Sequence, residues 1–284
     1  MTGPLMIAVG DNCLDVYLTR NQLAVGGNAL NVAVQWRNLG LRVRYMGVVG
    51  PDAEGDTILA AIAKAGLDPA DCERRPGHSA VTLLQDRLGD RRFLLEDLGV
   101  GLHYMPGVEG LAALAQADWV HLGTNSSPTL LRYLLDAGLN FSVDLSTAYA
   151  TLDLAGVPLV FASGPEDNAQ PVSPLIDGLL ARGAQRAVVT CGRRGAYYHD
   201  GFKLHQGAAQ PITVVDTCGA GDSFIATFLA DHMIGGQPAP EALRRATMAA
   251  AVTCMHEGGF PQGLGPIPDW LLQKYAGVIA SAEV

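Results

Sequence analysis

Short apolar runs alternate along the chain with segments whose apolar residues recur at helical spacing. LMIAVGD (5–11) is too short for a helix and predicts a first β-strand. GNALNVAVQWRNLG (27–40) carries Leu30, Val32, Ala33, Val34 and Trp36 and stops at Gly40, as a helix would. The pattern repeats with a strand at 43–50 and a helix at 54–66 that again ends on a glycine. Further strands are predicted at 118–123, 140–146, 158–163 and 186–192, separated by helical stretches near 107–116, 128–137 and 171–182. PITVVD (211–216) reads as one more strand, after which Phe224, Ile225, Phe228, Leu229 and Met233 mark a helix. ATMAAAVTCM (246–255) suits a buried core helix.

This alternation predicts an α/β fold, with a mainly parallel sheet covered by helices on both faces. Ligands in such folds bind beyond the carboxyl ends of the strands. The polar and Gly-rich stretches do follow strands: GDNCLD after the first, CGRRG after RAVVT, and DTCGAGD after PITVV. One region breaks the rhythm. HSAVTLLQDRLGDRRFLLEDLG (78–99) reads as two strands around an LGDR turn. A lone hairpin is too small to be stable by itself. It is expected, with residues of about 13–25, to form a small β lid on a single domain spanning 1–284.

Composition narrows the partners. Of 284 residues, 49% are hydrophobic and 17% charged, which suits a large packed core and not disorder. The net charge of −9 argues against nucleic acid, whose phosphates need clustered Lys and Arg. Five scattered cysteines with no CxxC pair read as reduced thiols in a cytoplasmic protein. The N-terminus lacks the charged start of a signal peptide, and no apolar run approaches the ~20 residues needed to span a membrane.

Four stretches carry candidate chemistry. In DTCGAGDSF (216–224), Gly219 and Gly221 let a backbone turn tightly at a helix start, where free N–H groups bind anions. Asp222 in the same place also suits a plain helix cap. A Walker A loop is excluded, because none of the three lysines follows a glycine. No GxGxxG follows the first strand, His256-Glu257 is followed by two glycines and not by the rest of HExxH, and there is no GxSxG. His121 has no metal-ligand spacing and reads as structural. In VGGNALNVAV (25–34), Gly26 and Gly27 precede Asn28 and Asn31; Asn31 can donate and accept, which suits a polyol, and a turn with a helix cap is the competing reading. GDNCLD (10–15) offers Asp11 and Asp15, either to sugar hydroxyls or to solvent. TCGRRGAYY (190–198) brackets two arginines with Gly192 and Gly195, as a phosphate loop or as a hairpin turn.

Together these stretches resemble the ribokinase-like carbohydrate kinases, the PfkB family. The family's C-terminal D-T-x-G-A-G-D-x-F signature fits 216–224, its Gly-Gly-Asn-x-x-Asn signature fits the run at 26–33, and its G-x-x-G-x-D-x-x-G element fits 47–55. The resemblance implies a three-layer α/β/α fold and ATP-dependent phosphoryl transfer to a sugar hydroxyl, with Mg2+. It implies Asp222 as catalytic base beside an anion hole of the Gly219, Ala220, Gly221 and Asp222 amides. Asp15, Gly26, Gly27 and Asn31, with Asp11 and Asn28 nearby, would hold the sugar. Thr190, Gly192, Arg193 and Gly195 would contact the nucleotide, and Ala250 to Gly258 would border the adenine. Asp216 and the Cys218 carbonyl would hold a monovalent cation such as K+, and the hairpin would serve as lid and homodimer interface. The family's N-x-x-E element, which organises Mg2+ and phosphate, appears as SGPE (163–166), keeping Glu166 but with Ser163 for Asn. Within the family the chain is most similar to the fructoselysine 6-kinase branch, which phosphorylates the 6-hydroxyl of a sugar-amino acid conjugate. Asp11 beside Asp15 would suit an amine-bearing sugar. A kinase for a simple ketohexose, ribose or a nucleoside is the alternative on the same fold, and a non-catalytic sugar sensor is an alternative of another class.

Overall fold

The computed structural model describes residues 3–87 and 90–282. In chain order the strands are β1 (Leu5–Val9), β2 (Cys13–Tyr17), β3 (Gln22–Gly26), β4 (Arg42–Val49), β5 (Cys72–Arg74), β6 (Val81–Arg87), β7 (Asp90–Asp97), β8 (Trp119–Leu122), β9 (Phe141–Asp144), β10 (Val160–Ser163), β11 (Ala187–Thr190), β12 (Ala196–His199) and β13 (Leu204–Gly207). The helices are α1 (Asn28–Asn38), α2 (Ala53–Lys64), α3 (Val108–Leu114), α4 (Pro128–Asp136), α5 (Ser173–Ala181), α6 (Ala220–Phe228), α7 (Ala239–Thr253), α8 (Asp269–Lys274) and α9 (Ala276–Ala282). Among the described residues, no helix is long and apolar enough to cross a membrane.

A nine-stranded sheet runs in the order β13-β12-β11-β10-β9-β8-β1-β4-β5. It is parallel from β11 through β5, and β12 and β13 add an antiparallel edge. The alternation of side chains along β1 divides the core. Met6 and Ala8 face a layer containing residues of α1, α2, α6 and α7. Leu5, Ile7 and Val9 face residues of α3, α4 and α5. Both faces are therefore covered, which is why the strands read as continuous apolar runs and not as alternating ones. His121 on β8 is fully buried, edge-on to Trp36 and Phe161, with Nδ1 2.9 Å from Ser142 Oγ. Burial lowers its pKa to about 3, so it is a neutral core residue.

Four strands form a second sheet in the order β3-β2-β6-β7. β2 pairs antiparallel with β3 and parallel with β6, while β6 and β7 pair antiparallel. Residues 78–99 thus supply two paired strands; Leu88 and Gly89 of the expected turn lie outside the described residues. Residues 211–216 depart from expectation, because they form no strand. Val214 and Val215 are about half exposed, and the amides of Val215 and Asp216 donate to the Cys254 carbonyl at the end of α7. The apolar run faces a cavity and not a sheet, so its β-branched residues have no ladder to join.

Candidate active site

The site starts where the strand order reverses. From β1 the chain moves first to neighbouring β4 and later to β8 on the other side, which opens a crevice at the carboxyl end of β1. There Asp11 accepts hydrogen bonds from the amides of Asn28 (2.7 Å) and Ala29 (3.1 Å), the first residues of α1. These amides have no partner inside their own helix, and a carboxylate also complements the positive end of the helix. Gly27 enters this helix at φ +113°, and a Cβ there would fall 2.5 Å from Asn12 Cα. Only glycine admits that approach.

α1 and α6 lie against one another, and Trp36 Nε1 donates to the Ala226 carbonyl at 3.0 Å. Their first turns bring Asp222 to two amides: Asn28 Nδ2 donates to Oδ1 and Asn31 Nδ2 to Oδ2, each at 2.6 Å. Asn28 Nδ2 also reaches Asp144 Oδ2 at 2.9 Å, at the end of β9. The Oδ1 atoms of Asn28 and Asn31 are buried and, among the described residues, have no hydrogen-bond partner, which leaves two acceptors unused beside Asp222. Burial raises the Asp222 pKa to about 8, with the negative charges of Asp144 and Asp11 adding to the shift and the two amides opposing it. Asp144 rises to about 6, also mainly by burial. A buried carboxyl poised near neutrality is suited to taking a proton.

The turn before α6 is built by close glycine contacts. Gly219 sits at φ +72°, and a Cβ there would strike Gly259; a Cβ on Gly259 would strike the Asn31 amide. Ala220 N donates to the Thr217 carbonyl at 3.3 Å and Ser223 N to the Gly219 carbonyl at 2.9 Å. The amides of Gly219, Gly221 and Asp222 have no acceptor among the described residues and are available to an anion. Asp216 is buried and accepts from Cys218 N (3.0 Å), Gly258 N (3.2 Å) and the Tyr17 hydroxyl (3.3 Å), which shapes the turn. Asp15 is buried beside Gly26, where a Cβ would fall 2.5 Å from its Oδ2, and Cys13 Sγ lies 3.3 Å from its Oδ1.

A cavity of about 480 Å3 opens on the other side of this turn. Ala220 and Gly221 line it together with Thr190, Gly192, Arg193 and Gly195, and Ile212, Val214, Ala250 and Cys254 add apolar surface. Glu166 and Ser163 also line it. Glu166 stands against Gly192, whose φ of +51° and missing Cβ leave room for the carboxylate. TCGRRG is a hairpin turn joining antiparallel β11 and β12, and it lines the cavity. Its arginines divide. Arg193 borders the cavity, whereas Arg194 Nη1 is held by the carbonyls of Pro165, Asp167 and Gln170. Gly258 is not on the cavity wall, because its amide is turned toward Asp216.

Two placements were not foreseen. Asn28 and Asn31 grip the Asp222 carboxylate, across a separation of more than 190 residues. Asp144 ends a short strand outside any motif and joins them; a lone polar residue closing an apolar run is its only signal.

A profile of the pfkB family carbohydrate kinases matches residues 4–140 and 154–261. Fructoselysine 6-kinase of Escherichia coli (strain K12) is 33% identical over 260 residues, covering 90% of this chain and 99% of that protein. Fructosamine kinase FrlD of Bacillus subtilis (strain 168) is 32% identical over 270 residues, covering 91% and 93%. Among solved structures, Arabidopsis thaliana ribokinase complexed with ribose and ATP matches with a TM-score of 0.78 at 21% identity, over 92% of this chain and 96% of that one. The fold is ribokinase-like.

Proposed function

We propose that this chain, which belongs to the pfkB family of carbohydrate kinases, phosphorylates the 6-hydroxyl of fructoselysine or a related fructosamine at the expense of ATP. The observation that carries the chemistry is the Asp222 carboxyl, held by Asn28 and Asn31 one residue beyond the free amides of the α6 turn. In this reading the acceptor hydroxyl donates to Asp222 while the large cavity holds the nucleotide with its γ-phosphate at those amides. The hydroxyl oxygen attacks phosphorus, the bond to the ADP oxygen breaks, and the hydroxyl proton passes to Asp222. Phosphoryl transfer needs chiefly alignment and charge stabilisation, which a fixed base and preorganised amides supply. The acceptor class is supported by the two fructosamine-directed relatives, each at least 32% identical over at least 90% of this chain.

The described residues contain no group of three or more metal-ligating side chains. Mg2+ would be carried by the phosphates of ATP and neutralise their charge, and Glu166 is a carboxylate lining the cavity that would hold them. A monovalent cation would sit against Asp216 and the Cys218 carbonyl; activation by K+ over Li+ tests that site. The five cysteines are free thiols, which suits the cytoplasm. Pairing through the second sheet would make a homodimer, measurable by light scattering.

The deciding experiment follows ADP release from purified protein across fructoselysine, other fructosamines, free fructose, ribose and nucleosides. The reading expects fructoselysine or a close relative to give the highest kcat/KM. Preference for free fructose, ribose or a nucleoside overturns the acceptor, and sugar binding without ADP release overturns the kinase.

A further inference from the structure

A second cavity, of about 60 Å3, shares no lining residue with the large one. It lies between the turn after β1 (Asp11, Asn12) and the second sheet, where Thr82 on β6 and Glu96 on β7 face each other across the ladder. Its size suits a small polar group with its adjoining carbons and not a nucleotide.

The chemistry of the wall is one-sided. Among the described residues, its charged residues are Asp11 and Glu96, and no Lys, Arg or His lines it. Asn12 is 3% exposed, and its Nδ2 donates to the Tyr45 hydroxyl (2.8 Å) and to the Val48 carbonyl (3.2 Å). A carbonyl only accepts, so the amide orientation is fixed and Oδ1 must act as acceptor. That Oδ1 is buried and has no hydrogen-bond partner. A buried acceptor left without a donor costs free energy unless a ligand supplies one. Asp11 already accepts two backbone amides, yet each carboxylate oxygen retains a further lone pair. Burial and the nearby negative charge of Glu96 both raise the Asp11 pKa, opposed by its backbone hydrogen bonds, so the cavity lacks positive charge and not acceptors.

We infer that this cavity is the subsite for a protonated amine on the acceptor, with Glu96 as the specificity-determining residue. The inference rests on the fructosamine reading above. A protonated secondary amine brings two N–H donors and one positive charge, matching the two carboxylates of a wall that Asn12 also lines; a neutral sugar hydroxyl brings no charge.

The test compares wild type with E96Q and E96K on fructoselysine and on its N-acetyl analogue, in which the sugar-bearing nitrogen is an uncharged amide. Glu96 is exposed, so both variants are expected to fold as wild type does. The expected result for E96Q is a KM for fructoselysine raised about tenfold, with kcat within about twofold of wild type and the KM for the analogue unmoved. E96K is expected to raise the first KM further. An unchanged fructoselysine KM in E96Q, or equal rises for both substrates, overturns the subsite while leaving the fructosamine reading intact. A wild type that phosphorylates free hexoses but not fructoselysine overturns that reading first, and the subsite with it.

Discussion

Asp222 concentrates the chemistry and a cost in stability at one residue. In the proposed role of general base it would account for a factor of about a hundred to ten thousand, so Asp222→Asn is expected to lower kcat by that range. Sugar affinity should stay within a few-fold, because Asn28 and Asn31 each keep a free Oδ1 that can turn to accept from the new amide. Isothermal titration beside steady-state kinetics checks both halves; unchanged turnover removes Asp222 from the mechanism. Its pKa of about 8 also fixes a pH dependence. The base works ionised, so kcat/KM should rise with pH through the apparent pKa values of the coupled Asp222 and Asp144. Removing the Asp144 charge makes ionisation of Asp222 easier, so Asp144→Asn should move this limb to lower pH. Stability runs the other way. A carboxyl whose pKa is raised from 3.8 to about 8 on folding stabilises the fold fully below 3.8 and loses that contribution as pH climbs to about 8. Asp222→Asn should therefore melt above wild type at pH 8 or higher, with the gap closing toward pH 4 in thermal scans. Equal melting temperatures at both pH values would show that Asp222 is not strained by its burial.

At the scale of elements, the start of α6 depends on two close approaches in series: Gly219 against Gly259, and Gly259 against the Asn31 amide. A methyl on Gly219 meets backbone at a positive φ, whereas one on Gly259 meets a side chain that can swing away. Gly219→Ala should cost about 1–3 kcal/mol of stability and expose the helix start. Gly259→Ala should leave more of the fold intact but push Asn31 off Asp222, lowering kcat at least tenfold. Melting temperature and kcat measured on both variants separate these outcomes; a Gly259→Ala enzyme with full turnover would show that the Asn31 grip is dispensable. The same elements show what a sequence can reveal. The runs at 26–33 and 216–224 were legible because a tight turn before a helix needs glycines at local spacing. The partnership of Asn31 with Asp222 was not, since local pattern names residue types and not partners 191 positions apart. PITVV misled for a related reason: β-branched residues look alike whether they face a sheet or line a cavity. Asp144 carries no local signature beyond a polar residue at the end of a short strand, and only the fold brings the end of β9 beside α1.

Across the whole molecule, the parallel layers were readable from the strand–helix rhythm, because burial on both faces writes unbroken apolar runs. The second sheet was legible as a hairpin joined by residues of about 13–25, but its pairing was not. Its parallel pairing of β2 with β6 spans more than 60 residues and depends on tertiary contacts. Besides the Tyr17 hydroxyl on Asp216, segment 257–265 ties that sheet to the 216–222 turn. Glu257 binds Arg20 (3.3 Å) and Gln22 (3.0 Å), and Leu23 N donates to the Gly265 carbonyl (2.9 Å). Gln262 holds both backbone groups of Val25, accepting from its N–H at 2.9 Å and donating to its carbonyl at 2.7 Å. The same segment presents Gly258 to Asp216 and Gly259 to Gly219. A ligand that settles the 216–222 turn therefore bears on the sheet beside the acceptor, and the reverse. Gln262→Ala removes two hydrogen bonds from this tie, each contributing about 0.5–1.5 kcal/mol. The factor by which a non-hydrolysable ATP analogue tightens sugar binding should fall about three- to tenfold. By linkage, the factor by which sugar tightens the analogue must fall equally. Titrations of each ligand with and without the other measure both factors. If Gln262→Ala weakens each ligand alone and leaves the factors unchanged, the segment supports the two sites without coupling them.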